Sequence, residues 1–307
     1  MLINMTEGTA EFRVPGLSEP CQTWYKVIGN LEETSKTPLI ILHGGPGACH
    51  DYLLPLTDLA PLVPLVFYDQ IGNGRSTHLP EKAGDEHFWT VDLFKNELGN
   101  LISHLGLAQR PISLYGHSWG GMLAIEWAAT SNATNLQSLI ISNSLASMEA
   151  YMIGVANLKK QLPLDVQAAL DQAEEKQDFE SPEYEAAVQV FYKRHLSLYE
   201  PWPAKEIRAA LEWLTKDSTT YGTMFGPSEL HCSGSLRNWT SIPLLDKIAV
   251  PTLLINGADD EAQDVAMQPL FKHINKVKWI VLDNAAHFSH VDQREKYMMH
   301  VRSFLET

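Results

Sequence analysis

Residues 115–121 read YGHSWGG and contain the pattern Gly-x-Ser-x-Gly, with Ser118 at its centre. An apolar run precedes this stretch and a helix-like run follows it, which is the strand–turn–helix context that a nucleophile elbow requires. Gly116 and Gly120 lack the Cβ atoms that would clash in so sharp a turn. The sequence therefore predicts a nucleophilic serine at Ser118, at the N-terminus of a helix whose partial positive charge favours a developing anion.

Around this stretch, short apolar runs alternate with helix-like segments. This alternation predicts an α/β fold with a mostly parallel central sheet and helices on both faces. The predicted strands are 10–14 and 21–28 as an antiparallel edge pair, and 39–42, 65–68, 138–141, 251–256 and 277–281 as buried strands. Helical periodicity predicts one helix over residues 92–105 and a closing helix from about 291 to 305.

The pattern changes between residues 145 and 240, where helix-like segments occur and no buried-strand run is found. The predicted helices there are 165–177, 182–198 and 203–214. We therefore expect a core domain built from residues 1–144 and 241–307, with an inserted helical cap over residues 145–240.

Composition and charge exclude several classes of protein. The chain has 307 residues, of which 45% are hydrophobic and 20% charged, an ordinary globular balance. Its formal net charge of -14 argues against nucleic acid and anionic membrane surfaces as partners, because both need clustered Lys and Arg. No apolar run is long enough to span a bilayer. We expect neither a nucleic-acid nor a membrane partner.

Cysteine usage and the N-terminal residues indicate the compartment. Cys21, Cys49 and Cys232 are far apart, odd in number and form no CxxC pair, which favours free thiols in a reducing environment. The first residues lack the basic region and apolar core of a signal peptide. The sequence thus predicts a cytoplasmic protein.

Polar residues that follow the predicted strands form a candidate catalytic set. In open α/β sheets, reactive groups gather at the carboxyl ends of the strands. Ser118 follows one strand, an acidic run (Asp259, Asp260 and Glu261) follows a later one, and His287 follows the last. A serine hydroxyl needs a histidine to take its proton, and the histidine needs a carboxylate to hold its tautomer. The chain order Ser, acid, His is that of α/β-hydrolases.

Two further assignments complete this set. His290 competes with His287 as the base, but His287 is preferred because His290 falls where the last helix is expected to begin. An oxyanion hole needs two backbone N–H donors, and Trp119, directly after the nucleophile, should supply one. Gly45, in the HGGPG loop at 43–47, should supply the other, since its lack of a side chain allows close approach of a carbonyl.

Three motifs together resemble the proline iminopeptidase family of α/β-hydrolases. They are HGGPG at 43–47, DQ-x-G-x-G-x-S at 69–76 and GHSWGG at 116–121, within a match that runs from about residue 10 to the C-terminus. The resemblance implies an α/β-hydrolase fold and a serine aminopeptidase that releases the N-terminal residue, often proline, from small peptides. Related members hydrolyse amides of L-amino acids. The histidines do not form a metal-ligand spacing such as H-E-x-x-H, so we expect no metal or other cofactor.

Carried over by position, the resemblance implies a role for each acidic residue. The triad acid falls on Asp260, with Asp259 as the alternative because the two are adjacent. Glu261, and Glu229 in a Gly-Pro-x-Glu segment of the cap, would bind the free amine of the substrate, with Tyr221 beside Glu229. Two carboxylates facing one ammonium form a charge-assisted clamp, and an N-blocked substrate would leave them unpaired.

Alternatives remain open from the sequence. The same chemistry fits an L-amino acid amidase, or a hydrolase or acyltransferase of a biosynthetic pathway; a third hypothesis is a non-catalytic α/β-hydrolase-like binding protein. The partner is expected to be a small peptide or an amino acid amide, and the oligomeric state is not predicted. Aromatic residues of the cap that could line an apolar pocket, although packing within the cap is the simpler interpretation, are Trp202, Trp213, Phe225 and Trp239.

Overall fold

One mixed β-sheet runs through the protein. The structure is a computed structural model that describes residues 4–131 and 135–307. Within those residues the strands are β1 (Met5–Phe12), β2 (Cys21–Ile28), β3 (Leu39–Leu42), β4 (Leu65–Tyr68), β5 (Ile112–His117), β6 (Leu136–Ser142), β7 (Thr252–Gly257) and β8 (Val277–Leu282). Their order across the sheet is β1-β2-β4-β3-β5-β6-β7-β8.

The direction of the strands brings their carboxyl ends to one edge. β1, β2 and β4 pair antiparallel, and every pairing from β4 through β3, β5, β6 and β7 to β8 is parallel. The predicted mostly parallel α/β sheet is therefore confirmed. β5, which leads into Ser118, lies between β3 and β6, so the loops after those strands lie on either side of it.

Helices cover both faces of the sheet. Among the described residues they are α1 (Val91–His104), α2 (Trp119–Thr130), α3 (Met148–Lys159), α4 (Leu164–Lys176), α5 (Pro182–His195), α6 (Lys205–Lys216), α7 (Thr219–Met224), α8 (Asp264–His273), α9 (Ser289–Asp292) and α10 (Arg294–Leu305). Short 3-10 helices lie at His50–Leu59, Pro80–Lys82, Ser235–Asn238 and Ile242–Lys247. In the part of the chain that the structure describes, no helix is long and apolar enough to cross a membrane.

Two apolar cores flank the sheet because successive side chains of a strand point to opposite faces. On β3, Ile40 and Leu42 pack into one core, whereas Leu39 and Ile41 pack into the other. All four are fully buried. This two-sided burial explains why the strand is a continuous apolar run in the sequence.

Residues between β6 and β7 form a largely helical insertion. Its two ends are joined to each other: Ser147 and Thr240 form an antiparallel bridge, and the Ser241 N–H donates to the Ala146 carbonyl at 2.9 Å. We propose residues 145–240 as the cap domain and residues 1–144 with 241–307 as the core. The pairing at the base of the insertion supports these boundaries.

Several elements differ from the sequence prediction. β1 begins at Met5 rather than at residue 10, because its first residues lie exposed at the sheet edge and carry no apolar alternation. The His50–Leu59 segment and α8 were not predicted, since each contains an internal proline that interrupts helical periodicity. α3 was also missed, and the closing helix is two helices, α9 and α10.

Candidate active site

Ser118 lies at the turn between β5 and α2 with a strained backbone. Its φ is 55° and its ψ is -123°, a combination that residues other than glycine rarely adopt. A Cβ on Gly116 would lie 2.2 Å from the carbonyl oxygen of Gly120, and a Cβ on Gly120 would lie 2.2 Å from that of Leu42. The turn thus requires glycine at both positions, and it presents Ser118 to the cavity under the cap.

Two backbone N–H groups point to an oxyanion site. The N–H groups of Gly45 and Trp119 have no hydrogen-bond partner among the described residues. Gly45 has φ 111°, and a Cβ there would meet the Gly47 nitrogen at 2.3 Å, so only glycine fits. The N–H of Gly44 is already engaged by the Tyr52 hydroxyl at 2.6 Å. We propose Gly45 and Trp119 as the two oxyanion donors.

Asp260 holds the ring of His287. Asp260 Oδ1 lies 2.8 Å from His287 Nδ1 and accepts from the Ala262 N–H at 2.9 Å. Its Oδ2 accepts from Asn143 Nδ2 at 2.7 Å, and the aspartate is fully buried. This arrangement orients Nε2 of the ring away from the acid. We propose Asp260 as the triad acid and His287 as the general base.

The two competing residues lie elsewhere. Asp259 is exposed, and its backbone carbonyl lies 2.9 Å from the His195 ring. His290 is buried, with Nε2 2.9 Å from the carbonyl oxygen of Tyr52, and burial lowers its pKa to about 4. Among the described residues, no hydrogen bond joins Asp259 to the His287 ring, and none joins His290 to Ser118 or Asp260.

Ser118 and His287 line the same cavity. No hydrogen bond joins the Ser118 hydroxyl to the His287 ring within residues 4–131 and 135–307. His287 Nε2 lies 3.8 Å from Glu261 Oε1. Catalytic hydrogen bonds can form only in the substrate complex, so the shared cavity keeps His287 as the candidate base for Ser118.

Glu229 faces the cavity from the cap. Its Oε1 accepts from the Tyr221 hydroxyl at 2.8 Å, and its Oε2 accepts from the Tyr151 hydroxyl at 3.3 Å. Tyr221 and Glu229 both line the cavity, and burial raises the pKa of the Glu229 carboxyl. The two phenols therefore hold this carboxylate in place beside Ser118.

Glu261 is a buried carboxylate with an unused acceptor. Its side chain is 1% exposed, and Oε2 has no hydrogen-bond partner among the described residues. Burial raises the pKa of Glu261 well above its ordinary value, and the neighbouring charges of Glu229 and Asp260 raise it further. A buried acceptor without a donor is costly, so this oxygen is suited to a cationic ligand.

The cap and the catalytic loops meet at the end of α5. The carbonyl oxygen of His195 accepts from the N–H of Glu261 at 3.3 Å and from the N–H of His287 at 3.1 Å. The next carbonyl, of Leu196, accepts from the Phe288 N–H at 2.7 Å. A single turn of the cap therefore contacts the acidic loop and the histidine loop together.

A cavity of about 710 Å³ lies between the elbow and the cap. Its apolar wall includes Val188, Leu196, Leu211 and Leu214. The cap aromatics considered from the sequence do not line it: Trp202 donates to Gln189, Trp213 stacks near His78, Phe225 packs on Tyr221 and Trp239 donates to Glu126. In the described part of the chain, no group of three or more His, Cys, Asp or Glu is placed to hold a metal ion.

Sequence reasoning missed several residues that hold the site. Asn143 directly follows β6, so the rule that selected residues after strands could have found it. His117 precedes Ser118, and its Nε2 donates to the carbonyl oxygen of His287 at 2.9 Å. Tyr52 and Tyr151 carry no local sequence signal, because tertiary folding alone brings their hydroxyls to the site.

The fold and this arrangement define an α/β-hydrolase with a serine at its nucleophile elbow. The sequence profile described as alpha/beta hydrolase family matches residues 39–298. A proline iminopeptidase from Lactobacillus crispatus is 33% identical over 290 residues, which cover 93% of this chain and 94% of the relative. The chain belongs to the proline iminopeptidase family of α/β-hydrolases, as its three motifs predicted.

Two solved structures are similar over nearly the whole chain. The crystal structure of VinJ has a TM-score of 0.91 and 40% identity, with 98% of each chain covered. The crystal structure of proline iminopeptidase from Mycobacterium smegmatis has a TM-score of 0.87 and 35% identity, also with 98% of each chain covered. The predicted fold class and the prediction of a serine-dependent hydrolase are confirmed.

Proposed function

We propose that this chain is a serine aminopeptidase that releases the N-terminal residue, with proline as the first candidate, from small peptides. The observation that carries the proposal is the carboxylate pair beside the elbow. Glu229 faces the cavity that Ser118 also lines, and Glu261 Oε1 lies 3.8 Å from His287 Nε2. The other oxygen of Glu261 is buried and has no hydrogen-bond partner within the described residues. The names of the relatives support the choice of proline.

The proposed reaction follows from this geometry. The substrate ammonium binds Glu229 and Glu261, which places the first amide carbonyl at Ser118. His287 takes the serine proton while Asp260 holds its ring, and Gly45 and Trp119 stabilise the oxyanion. His287 then gives the proton to the leaving amine. Water, activated by the same histidine, hydrolyses the acyl-enzyme and frees the amino acid.

A panel of chromogenic amides tests this proposal. We expect proline, alanine and leucine anilides with free amines to be hydrolysed at least about a hundredfold faster than their N-acetyl counterparts, because a blocked amine leaves both carboxylates unpaired. The ratio of kcat/KM within each matched pair is the measurement. Equal rates on free and blocked substrates would exclude an amine-binding site.

A second candidate differs only in the substrate. The cavity of about 710 Å³ falls in the size range of sites for drug-sized ligands and has an apolar wall. A cavity of this size also has room for an amino acid amide whose amine part is larger than a single residue, as in an amidase or a biosynthetic hydrolase. Adding aminoacyl amides of long alkyl amines to the panel separates the two, since the amidase would prefer them to dipeptides.

We also propose the cytoplasm as the compartment. Cys21, Cys49 and Cys232 are free thiols, which supports a reducing environment. Burial raises the pKa of Cys21 to about 11 and that of Cys232 to about 12, so both stay protonated and poorly reactive at neutral pH. Fractionation of the native host with an antibody to this chain tests the assignment.

The carboxylate pair should make substrate binding depend on pH. Since the pKa values of Glu229 and Glu261 are raised, both carboxyls are protonated up to a higher pH than an exposed glutamate and then attract no ammonium. Affinity should therefore rise with pH through that raised range, and fall again near about pH 8, where an α-amino group loses its proton. Calorimetric binding of an uncleaved dipeptide to the Ser118→Ala variant measures this profile.

Substitutions identify the groups behind the acid limb of that profile. Glu261→Gln removes a like charge, so the limb should move to lower pH while maximal affinity falls about tenfold. Glu185→Gln changes an exposed glutamate at the cavity mouth and should leave the limb in place. An acid limb that does not move in Glu261→Gln would contradict the assignment.

A further inference from the structure

A buried tyrosine hydroxyl connects the three loops of the site. Tyr52 lies in the His50–Leu59 segment and is 1% exposed. Its hydroxyl lies 2.6 Å from the Gly44 nitrogen and 3.0 Å from His117 Nδ1. On the other side of that ring, His117 Nε2 lies 2.9 Å from the carbonyl oxygen of His287. The glycine loop, the elbow and the histidine loop are thus joined through two side chains, those of Tyr52 and His117.

The direction of each hydrogen bond follows from the groups present. The His287 carbonyl only accepts, so His117 carries its proton on Nε2 and its Nδ1 is an acceptor. The Tyr52 O–H then donates to Nδ1, while its oxygen accepts from the Gly44 N–H. Burial lowers the pKa of His117 well below its ordinary value, and the nearby His287 and His290 rings lower it further. The His117 ring therefore stays neutral, and each of the three hydrogen bonds keeps the same donor and acceptor.

This series of hydrogen bonds ends at the loop that supplies an oxyanion donor. Gly44 immediately precedes Gly45, whose N–H has no hydrogen-bond partner in the part of the chain that the structure describes. The contact is close: a Cβ on Gly44 would lie 2.9 Å from the Tyr52 hydroxyl and 3.1 Å from Ser118 Cβ. A shift of Gly44 would therefore change both the direction of the Gly45 N–H and its distance from the nucleophile.

We propose that Tyr52 is a positioning residue for the acyl-transfer step. Its hydroxyl keeps the Gly44–Gly45 peptide in register with Ser118 and, through His117, with the loop that carries His287. The donor of the oxyanion hole and the general base are then aligned by one network rather than separately. This inference rests on the proposed serine chemistry, and it assigns a role to a residue outside the proposed triad, oxyanion donors and amine-binding pair.

Tyr52→Phe tests the inference because it keeps the ring and removes only the hydroxyl. The ring packs at 5.2 Å from His117 and 5.3 Å from Phe288, between centroids, and those contacts remain. We expect kcat to fall about tenfold to a hundredfold with KM within about twofold, since misplaced donors slow the chemical step while the amine site is intact. The rate of Ser118 labelling by a fluorophosphonate should fall in parallel.

Tyr68→Phe is the control, because it makes the same change at another buried tyrosine. Tyr68 is fully buried on β4, and its hydroxyl has no hydrogen-bond partner among the described residues. The kcat and the labelling rate of this control variant should stay within about twofold of the native values. A native-like kcat and labelling rate in Tyr52→Phe would overturn the role of Tyr52 alone. Absence of labelling in the native chain would overturn the serine chemistry, and the role of Tyr52 with it.

Discussion

Ser118→Ala is expected to reduce hydrolysis of aminoacyl amides by roughly 10⁵- to 10⁶-fold. The loss should be this large because acylation has no other nucleophile at the elbow, and the oxyanion donors alone retain only a small part of the rate enhancement. Binding of the substrate should persist, since the proposed amine site is formed by Glu229 and Glu261 and does not include Ser118. Single-turnover kinetics measure the chemical step, and calorimetry measures the binding.

A second serine separates this effect from general damage. Ser113 lies on β5, only five residues earlier, and its hydroxyl is bonded to Ser138 at 2.8 Å. Ser113→Ala should keep full activity and should still react with a fluorophosphonate at Ser118, located by peptide mass spectrometry. If Ser118→Ala retained hydrolysis of the same order as the native chain, a group other than Ser118 would be the nucleophile and the assignment of Ser118 would be wrong.

Asp260→Asn should lower kcat about 10⁴-fold, whereas Asp259→Asn should change it less than about threefold. A neutral amide no longer stabilises the imidazolium that forms on His287. Its NH₂ group also meets a donor in either orientation, because Asn143 Nδ2 faces one oxygen position and the Ala262 N–H faces the other. The two aspartates are adjacent, yet one is fully buried against the ring and the other is exposed. Steady-state kinetics on one aminoacyl anilide distinguish them.

Folding must be compared between these two variants. Asp260 accepts from three donors, namely His287 Nδ1, Asn143 Nδ2 and the Ala262 N–H, so its replacement also weakens the loop. Urea unfolding of both variants reports that loss, and the activity comparison applies only below the unfolding transition. A large kcat loss in Asp259→Asn with native activity in Asp260→Asn would transfer the acid role to Asp259.

Much of the fold and part of the site could be predicted because they depend on local constraints. Ser118 needs glycine two residues before and after it, and that requirement is written in adjacent positions. Strands that are buried on both faces need continuous apolar runs, so the sequences of β3 and β4 predicted them directly. Features of this kind are determined by residues that are close to them in the sequence.

Other features depend on contacts between distant residues. Local sequence could not separate Asp259 from Asp260, since only the turn after β7 determines which side chain enters the core. Tyr52 meets His117 across 65 positions, and Tyr151 meets Glu229 across 78. Edge strand β1 was shortened in the prediction because its solvent-facing residues need no hydrophobic pattern.

The carbonyl groups of His195 and Leu196 have a consequence for the descent of this family. Caps of α/β-hydrolases can change substrate range by insertion and exchange, but here one turn of the cap also anchors the loops of Glu261 and His287. Replacement of α5 without residues 195–196 would remove the hydrogen bonds that hold the Glu261 loop and the His287 loop. Residues 195–196 should therefore be inherited together with the core.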